Sequence, residues 1–197
     1  MSGPDTARER VLAATYACVT RSGLARTTVE DAVRESGVSR ATVYRLFPGG
    51  KGQLLREAVG WEMNRFFGRL ADHVAGAADL PAVLEQGLVF AHRAVREHRV
   101  LQQVLATEPG RLLPLLTVEQ HRVQRLVAAY LRPVLDREAE QGRLRPGLDR
   151  RAAADYLSRM ALSLMGAPGR WDLEDPQQVR RVVREELLGG ILAPGVR

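Results

Sequence analysis

The sequence predicts an all-α protein without a β-strand. Apolar residues recur at the spacing of a helix face along the chain, and no segment alternates apolar and polar residues as a half-buried strand does. Leu, Ala, Arg and Glu, which favour helices, are abundant, whereas aromatic residues make up only 5% of the chain. A length of 197 residues suffices for one or two small domains with an apolar core.

Cap residues and helix breakers place the helices in order. Gly23 and Gly37 are expected to end the first and second helices, because glycine readily adopts the left-handed conformation at a helix C-terminus. Ser39 is expected to cap the third helix, and Pro133 to kink a later one. The predicted helices cover residues 6–22, 27 or 28 to 36, 40–47, 51–75, 81–98, 100–106, 109–116, 117–141, 150–165 and 176–188.

The second and third predicted helices are both short, and they are separated by a tight turn. Only Gly37 and Val38 lie between the second helix and the Ser39 cap. Two short helices joined by a glycine-containing turn form the helix-turn-helix arrangement. The chain breaks again at Pro48-Gly49-Gly50, before a long fourth helix begins at Lys51.

The charge of the chain permits a polyanionic partner. The net charge is +6 and the isoelectric point is about 10.3. Residues 38–56 hold four basic side chains and no acidic one, so much of the positive charge lies in the predicted helix-turn-helix and just after it. The location of the basic residues is more informative than the net charge, because an arginine-rich composition alone does not indicate a function.

The sequence indicates a cytoplasmic protein. Cys18 is the only cysteine, so an intramolecular disulfide is excluded. No stretch reaches the roughly 20 apolar residues of a membrane span, and no apolar run follows the first charges, as a secretory signal would require. We therefore expect no membrane partner.

No pattern typical of an enzyme is present. The four histidines, His73, His92, His98 and His121, are not spaced as the metal ligands of one helix. A Gly-x-Ser-x-Gly motif is missing, and Gly50-Lys51 lacks the other residues of a phosphate loop. We predict no catalytic residue, no metal site and no cofactor, although scattered residues could still assemble a site.

The third predicted helix has one apolar and one polar side. Its polar side chains, together with small Ala41, would face outward while the apolar ones bury the helix. This division is expected of a recognition helix in the major groove of DNA. The apolar set is Val38, Val43 and Phe47, and the polar set is Arg40, Thr42, Tyr44 and Arg45.

This segment closely resembles the DNA-binding domain of the TetR (tetracycline-repressor) family of bacterial transcriptional regulators. The resemblance spans about Arg8 to Leu55, and its most specific part is Gly37-Val38-Ser39-x-x-Thr42-x-Tyr44-x-x-Phe47-Pro48. It implies a three-helix helix-turn-helix DNA-binding domain, predicted over residues 1–50, followed by a helical ligand-binding and dimerisation domain over 51–197. Members usually repress transcription, and a small molecule releases them from DNA.

The resemblance carries DNA-binding roles to nine positions. Tyr44 and Lys51 match the family's phosphate contacts, and Thr27 or Thr28 would offer its hydroxyl and amide to a phosphate. Ser39 would cap the helix or meet a phosphate, and the remaining positions face the groove. The full set is Thr27, Thr28, Ser39, Arg40, Ala41, Thr42, Tyr44, Arg45 and Lys51.

Other roles for these residues remain open. Tyr44 could pack against the protein, Ser39 could serve only as a cap, and Arg40 and Arg45 could be solvated surface charges. The link from Phe47 to Lys51 is one residue longer than the commonest form in the family, which affects the reach of Lys51.

The second part of the chain carries no comparably specific motif. By analogy with the family, a pocket for an inducer of unknown identity would lie among the fourth to eighth helices, although most of its apolar candidates could simply be core. The segment 97–109 is similar to a stretch found in one branch of the family, but it does not identify a ligand. The candidate pocket residues are Met63, Phe67, Phe90, His98, Gln102, Tyr130, Tyr156 and Met160.

The last two predicted helices, 150–165 and 176–188, are expected to form a homodimer through a four-helix bundle, or else to be buried within the monomer. The apolar positions proposed for the bundle are Leu157, Leu162, Leu164, Val179, Val182, Val183 and Leu187. A two-fold dimer would bind an inverted-repeat operator in double-stranded DNA. A ligand beside the fourth helix would then favour a spacing of the recognition helices that does not fit the operator.

The sequence thus predicts a ligand-responsive DNA-binding repressor. The alternative is a helical small-molecule-binding protein or enzyme in which DNA binding is incidental.

Overall fold

The computed structural model describes residues 6–195 and confirms the predicted all-α fold. The ends of the two predicted domains, residues 1–5 and 196–197, lie outside the described residues, as does the side chain of Val118. Residues 6–195 hold nine α-helices and no strand; one isolated antiparallel bridge joins Leu144 and Leu192. The helices are α1 (Ala7–Arg26), α2 (Val29–Ser36), α3 (Arg40–Leu46), α4 (Gly50–Val74), α5 (Leu80–Glu97), α6 (Arg99–Thr107), α7 (Pro109–Glu140), α8 (Arg150–Gly166) and α9 (Pro176–Val182), and α9 continues as a π-helical turn (Val183–Leu187).

Side-chain caps fix most of the predicted helix starts. Ser39, Asp149 and Asp175 each accept hydrogen bonds from backbone amides in the first turn of their helices, as expected of N-caps. The predicted break at Gly23 is also present, with φ of 81°, although a further helical turn carries α1 to Arg26. Local sequence therefore determines these boundaries to within a few residues.

The predicted division at residue 117 is wrong, because α7 is one helix from Pro109 to Glu140. Neither Leu116 nor Thr117 is a helix breaker, and the Thr117 hydroxyl donates to the Leu113 carbonyl inside the helix, 2.9 Å away. The last helix also differs from the prediction, since its second half is the π-helical turn.

Contacts within the chain define two compact units. The first runs to Phe67 and takes in His98–Glu119; the second comprises Gly68–Glu97 and the chain from Gln120 onward. Leu54 and Ala58 of α4 are buried in the same apolar cluster as α1, α2 and α3. The predicted functional boundary after residue 50 stays a prediction, while the compact units follow packing rather than sequence order.

Two apolar clusters hold the first unit together. One joins the helix-turn-helix to α1 and α4; the other packs α1 against α6 and the start of α7. Their buried members are Val11, Leu12, Val29, Ala32, Val38, Val43, Phe47, Leu54 and Ala58 in one, and Val19, Leu24, Val104 and Leu112 in the other.

In the second unit, α9 and the π-helical turn pack against α5, and α8 packs against α5 as well. This packing corrects the predicted dimer contacts, because six of the seven apolar side chains assigned to the intermolecular bundle are buried inside this unit. These six are Leu157, Leu164, Val179, Val182, Val183 and Leu187. Leu162 is half-buried. Of the alternatives left open by the sequence, burial within the monomer holds for these six.

A buried carboxylate ties α7 to the start of α5. Glu138 is 2% exposed and accepts two hydrogen bonds of 2.7 Å from the guanidinium of Arg143. It also accepts a bond of 3.1 Å from the backbone N–H of Leu80. Burial raises the pKa of the Glu138 carboxyl, but the bonds from Arg143 and Leu80 outweigh it, so the pKa lies below its usual range.

No helix within residues 6–195 is long and apolar enough to cross a membrane.

Candidate nucleic-acid interface

The start of α2 is fixed by a reciprocal capping box. The Thr28 hydroxyl accepts a bond of 3.1 Å from the Asp31 N–H, and the Thr28 N–H donates to the Asp31 carboxylate at 3.0 Å. The bonds from Thr28, and then that from Arg34, hold the pKa of Asp31 below its usual range. Gly37 ends α2 with φ of 64°, a left-handed conformation that favours glycine.

Helix α3 has one buried face and one exposed face, as the sequence predicts. Val43 is completely buried, and Phe47 is 1% exposed. On the opposite side Ala41, Tyr44 and Arg45 are exposed. A face of this kind, with a small residue between donors, can approach the base edges of a DNA groove.

Ser39 and Thr42 form a polar pair at the N-terminus of α3. The Ser39 side chain accepts from the Thr42 N–H at 3.3 Å and donates to the Thr42 hydroxyl at 2.9 Å. The capping role predicted for Ser39 is therefore present. Thr42 is half-buried.

Arg40 and Tyr44 share a carboxylate on α2. The Arg40 guanidinium lies 3.1 Å from the Glu30 carboxylate and 5.5 Å from the centre of the Tyr44 ring. The Tyr44 hydroxyl donates to the same Glu30 oxygen at 3.2 Å. Thus two predicted DNA contacts are held by an acidic residue that sequence reasoning missed. Only the turn between α2 and α3 brings Glu30 to them, and no local pattern shows this.

Arg45 is exposed and has no partner among the described residues. Its guanidinium keeps all its donors, which suit bidentate recognition of the O6 and N7 atoms of guanine.

Lys51 lies in the first turn of α4 and reaches back to α1. Its ammonium group donates to the Ala25 carbonyl at 2.7 Å, and the residue as a whole is half-buried. An ammonium group has three donors, so two remain for a phosphate. The long link before it forms a turn in which Gly50, with φ of 61°, bonds to the Phe47 carbonyl at 3.0 Å. This turn accommodates the extra residue.

Thr27 does not belong to the exposed surface. Its side chain is 1% exposed, and its hydroxyl donates to the Gly23 carbonyl at 2.8 Å. The structure therefore corrects the predicted pair: of the two threonines, only Thr28 is exposed at the start of α2.

Comparisons with known proteins agree with this geometry. The sequence model described as "Bacterial regulatory proteins, tetR family" matches residues 11–58. A second, described as "Tetracyclin repressor-like, C-terminal domain", matches residues 75–168. The chain belongs to the TetR family. The family predicted from the helix-turn-helix segment is thus confirmed, and the second match extends it beyond that segment.

Curated relatives of this TetR-family chain include uncharacterized HTH-type transcriptional regulators of two strains of Mycobacterium tuberculosis. Each is 29% identical to it over 139 residues, which are 71% of this chain and 63% of the relative. The match therefore covers less than two thirds of the length of these relatives.

Solved structures share the TetR fold. SmeT, the repressor of the Stenotrophomonas maltophilia multidrug efflux pump SmeDEF, is 24% identical in its triclosan complex. The match covers 97% of this chain and 94% of SmeT, with a TM-score of 0.59. The transcriptional repressor QsdR of R. erythropolis is 19% identical; the match covers 93% of this chain and 94% of QsdR, with a TM-score of 0.60.

The eight predicted ligand contacts of this TetR-family chain are divided between the compact units. Met63, Phe67, His98 and Gln102 belong to the first unit, and Phe90, Tyr130, Tyr156 and Met160 to the second. None of them lines either of two surface cavities of the second unit, of about 470 and 420 Å³. A shared ligand pocket stays a prediction.

Two of these side chains have defined structural partners. His98 caps α6, since its Nδ1 accepts from the Leu101 N–H at 3.0 Å. The Tyr156 hydroxyl donates to the Glu186 carbonyl at 2.7 Å.

Proposed function

We propose that this TetR-family chain is a sequence-specific DNA-binding transcriptional regulator that acts as a cytoplasmic repressor. The observation that carries the proposal is the division of α3 into a buried face around Val43 and an exposed face with Ala41 and an unpaired Arg45 among the described residues. A helix held in this way presents donors to the major groove without losing its packing.

Phosphate contacts flank the groove-facing side. Lys51 keeps two ammonium donors, and the exposed residue Tyr44 carries a hydroxyl that donates to Glu30 in the free protein. A positive charge such as that of Lys51 supplies the salt-dependent, sequence-independent part of DNA affinity, while Arg45 supplies discrimination between bases.

A homodimer on an inverted repeat is the arrangement that fits a single recognition helix in each chain. Two copies related by a two-fold axis would place their α3 helices about 34–36 Å apart, or a multiple of one helical turn. The exposed sides of α8 and α9 remain candidates for the dimer contact. The six apolar side chains that are buried inside the second unit cannot contact a second copy of the chain.

A small molecule releases the regulator from DNA in this proposal. SmeT, which shares the fold, is known as a complex with triclosan. A ligand that lowers operator affinity 100-fold needs only about 2.7 kcal/mol of preference for the DNA-free conformation.

Selection of duplexes from a randomised pool tests the proposal. The wild-type protein is expected to enrich an inverted repeat and to bind it at least 1,000-fold more tightly than a scrambled duplex of the same composition, as specific DNA-binding proteins typically do. Equal affinity for the selected and the scrambled duplex, measured by fluorescence anisotropy, would contradict the proposal.

A further inference from the structure

Helix α6 is attached to α1 at both of its ends, within the first compact unit. At the N-terminal end, His98 Nε2 lies 3.0 Å from the Tyr16 hydroxyl, and the two rings meet edge to face. At the C-terminal end, Glu108 follows α6 and contacts the last helical turn of α1, which comes after the break at Gly23. The segment 97–109, which the sequence singled out without a role, therefore forms these two attachments.

The Glu108 carboxylate binds two consecutive backbone amides. One oxygen accepts from the Leu24 N–H at 3.0 Å, and the other accepts from the Ala25 N–H at 2.7 Å. The side chain is 17% exposed. Bonds of this kind to an ionised acceptor are stronger than neutral ones, particularly when water is largely excluded.

Gly23 makes room for this carboxylate. It turns the chain with φ of 81° and ψ of 171°. A Cβ atom at this position would lie 2.3 Å from the nearer Glu108 oxygen, which is closer than non-bonded atoms approach. The positive φ favours glycine here, and a Cβ atom would also displace the carboxylate from its two bonds.

The turn bound by Glu108 leads directly to two proposed DNA contacts. The Ala25 carbonyl accepts from the Lys51 ammonium group at 2.7 Å, and the chain enters the Thr28 cap of α2 three residues later. The Ala25 peptide groups are thus held by Glu108 on one side and by Lys51 on the other.

We infer that Glu108 is a positioning residue for DNA binding: by fixing the Leu24–Ala25 turn, it sets the place of the Lys51 ammonium group. This inference rests on the proposed function. Glu108 itself does not reach the exposed face of α3; it acts through the Ala25 carbonyl, which is the anchor of Lys51.

The test replaces Glu108 with glutamine. Glu108→Gln keeps the size of the side chain but offers one acceptor and one donor where two amides need two acceptors. We expect affinity for both the selected and the scrambled duplex to fall about 10-fold, and the slope of log affinity against log salt to decrease by about one unit, as for the loss of one phosphate contact. Glu140→Gln, an exposed glutamate at the other end of α7, is the matched control and should change neither quantity.

A double-mutant cycle with Lys51→Ala separates positioning from a general structural effect. If Glu108 acts through Lys51, Glu108→Gln should weaken binding little further in the Lys51→Ala background, because coupled residues are not additive. Gly23→Ala, which disturbs the same contact from α1, should also lose little further affinity in that background.

Three results would overturn the inference. They are a folded Glu108→Gln protein with wild-type affinity and salt slope, an equal loss in the wild-type and Lys51→Ala backgrounds, and loss of the helical circular dichroism signal in Glu108→Gln, which would make Glu108 a stability residue. Failure of the wild-type protein itself to bind DNA would instead refute the proposed function.

Discussion

At the scale of single residues, the proposed interface combines side chains that are free with side chains that are already engaged. Arg45 is exposed without a partner in the described chain, whereas Arg40 and Tyr44 contact Glu30, and Lys51 contacts Ala25. Their substitutions should therefore have different effects: loss of base discrimination at Arg45, loss of phosphate affinity at Lys51, and gain of affinity at Glu30.

Arg45→Ala should weaken specific binding by about 1–3 kcal/mol, because a bidentate contact to guanine carries discrimination of that size. Preference at one base pair of each half-site should relax in a duplex selection. Arg132→Ala, which removes an exposed arginine of α7, is the control and should leave the preference unchanged. A wild-type preference in Arg45→Ala would exclude Arg45 from base recognition.

Lys51→Ala should weaken binding to all sequences. Loss of one phosphate contact reduces the slope of log affinity against log salt by about one unit without changing base preference. Anisotropy titrations over a series of salt concentrations measure this slope. An unaltered slope would show that Lys51 binds the Ala25 carbonyl but no DNA phosphate.

Glu30→Gln should tighten DNA binding several-fold. The carboxylate competes with DNA phosphates for Arg40 and Tyr44, and its removal also lowers the negative charge beside the groove. The control is Glu35→Gln on the same helix, which loses an ion pair with Arg21 instead. If Glu30→Gln binds DNA no more tightly than the Glu35→Gln control, the Glu30 carboxylate does not compete with DNA phosphates.

At the scale of helices and turns, local signals were predictable and distant contacts were not. Ser39, Asp149 and Asp175 are short polar residues directly before a helix, so their caps could be predicted from the sequence. The contacts of Glu30 and Glu108 could not be predicted. The partners of Glu30 lie 10 and 14 residues away across a turn, those of Glu108 lie more than 80 residues away, and no periodicity connects either set. The apolar pattern of α9 likewise shows which side is buried, but not whether the same chain or a second copy covers it.

The pairing of Glu138 with Arg143 stabilises the second compact unit, so the stability of this unit should depend on pH. Because the pKa of Glu138 is lower in the folded state than in the unfolded state, its contribution is present above the unfolded value of about 4.3 and is lost as pH falls through the folded pKa. Glu138→Gln should lower the free energy of unfolding by about 2–3 kcal/mol near neutral pH, a moderate value because Arg143 is 31% exposed.

Denaturant unfolding of Glu138→Gln and of the exposed control Glu140→Gln measures this difference. The deficit should shrink in acid, where the wild-type carboxyl is protonated too. A deficit that persists unchanged at low pH would assign it to packing rather than to charge.

At the scale of the whole molecule, compact units and predicted domains divide the chain differently. Residues 98–119 pack with the helix-turn-helix unit, although they lie far beyond it in sequence. A boundary at residue 50 follows the glycine-rich break at Pro48-Gly49-Gly50, which is a local signal. The assignment of α6 to the first unit depends on contacts with α1, such as those of His98 and Glu108, that only the folded chain shows.

The distribution of charge along the chain supports the proposed DNA-binding function. The segment 38–56, which contains α3 and the start of α4, has four basic residues and no acidic one. Such a local excess steers the protein toward DNA and makes association depend on salt.

The central claim is that the exposed face of α3 enters the major groove, and methylation interference on the selected duplex tests it most directly. Guanine N7 lies in the major groove and adenine N3 in the minor groove. The account predicts that N7 methylation of a guanine in each half-site blocks the wild-type protein, and that Arg45→Ala loses this effect at one of these guanines. Interference confined to adenine N3, or an identical pattern for Arg45→Ala, would contradict it.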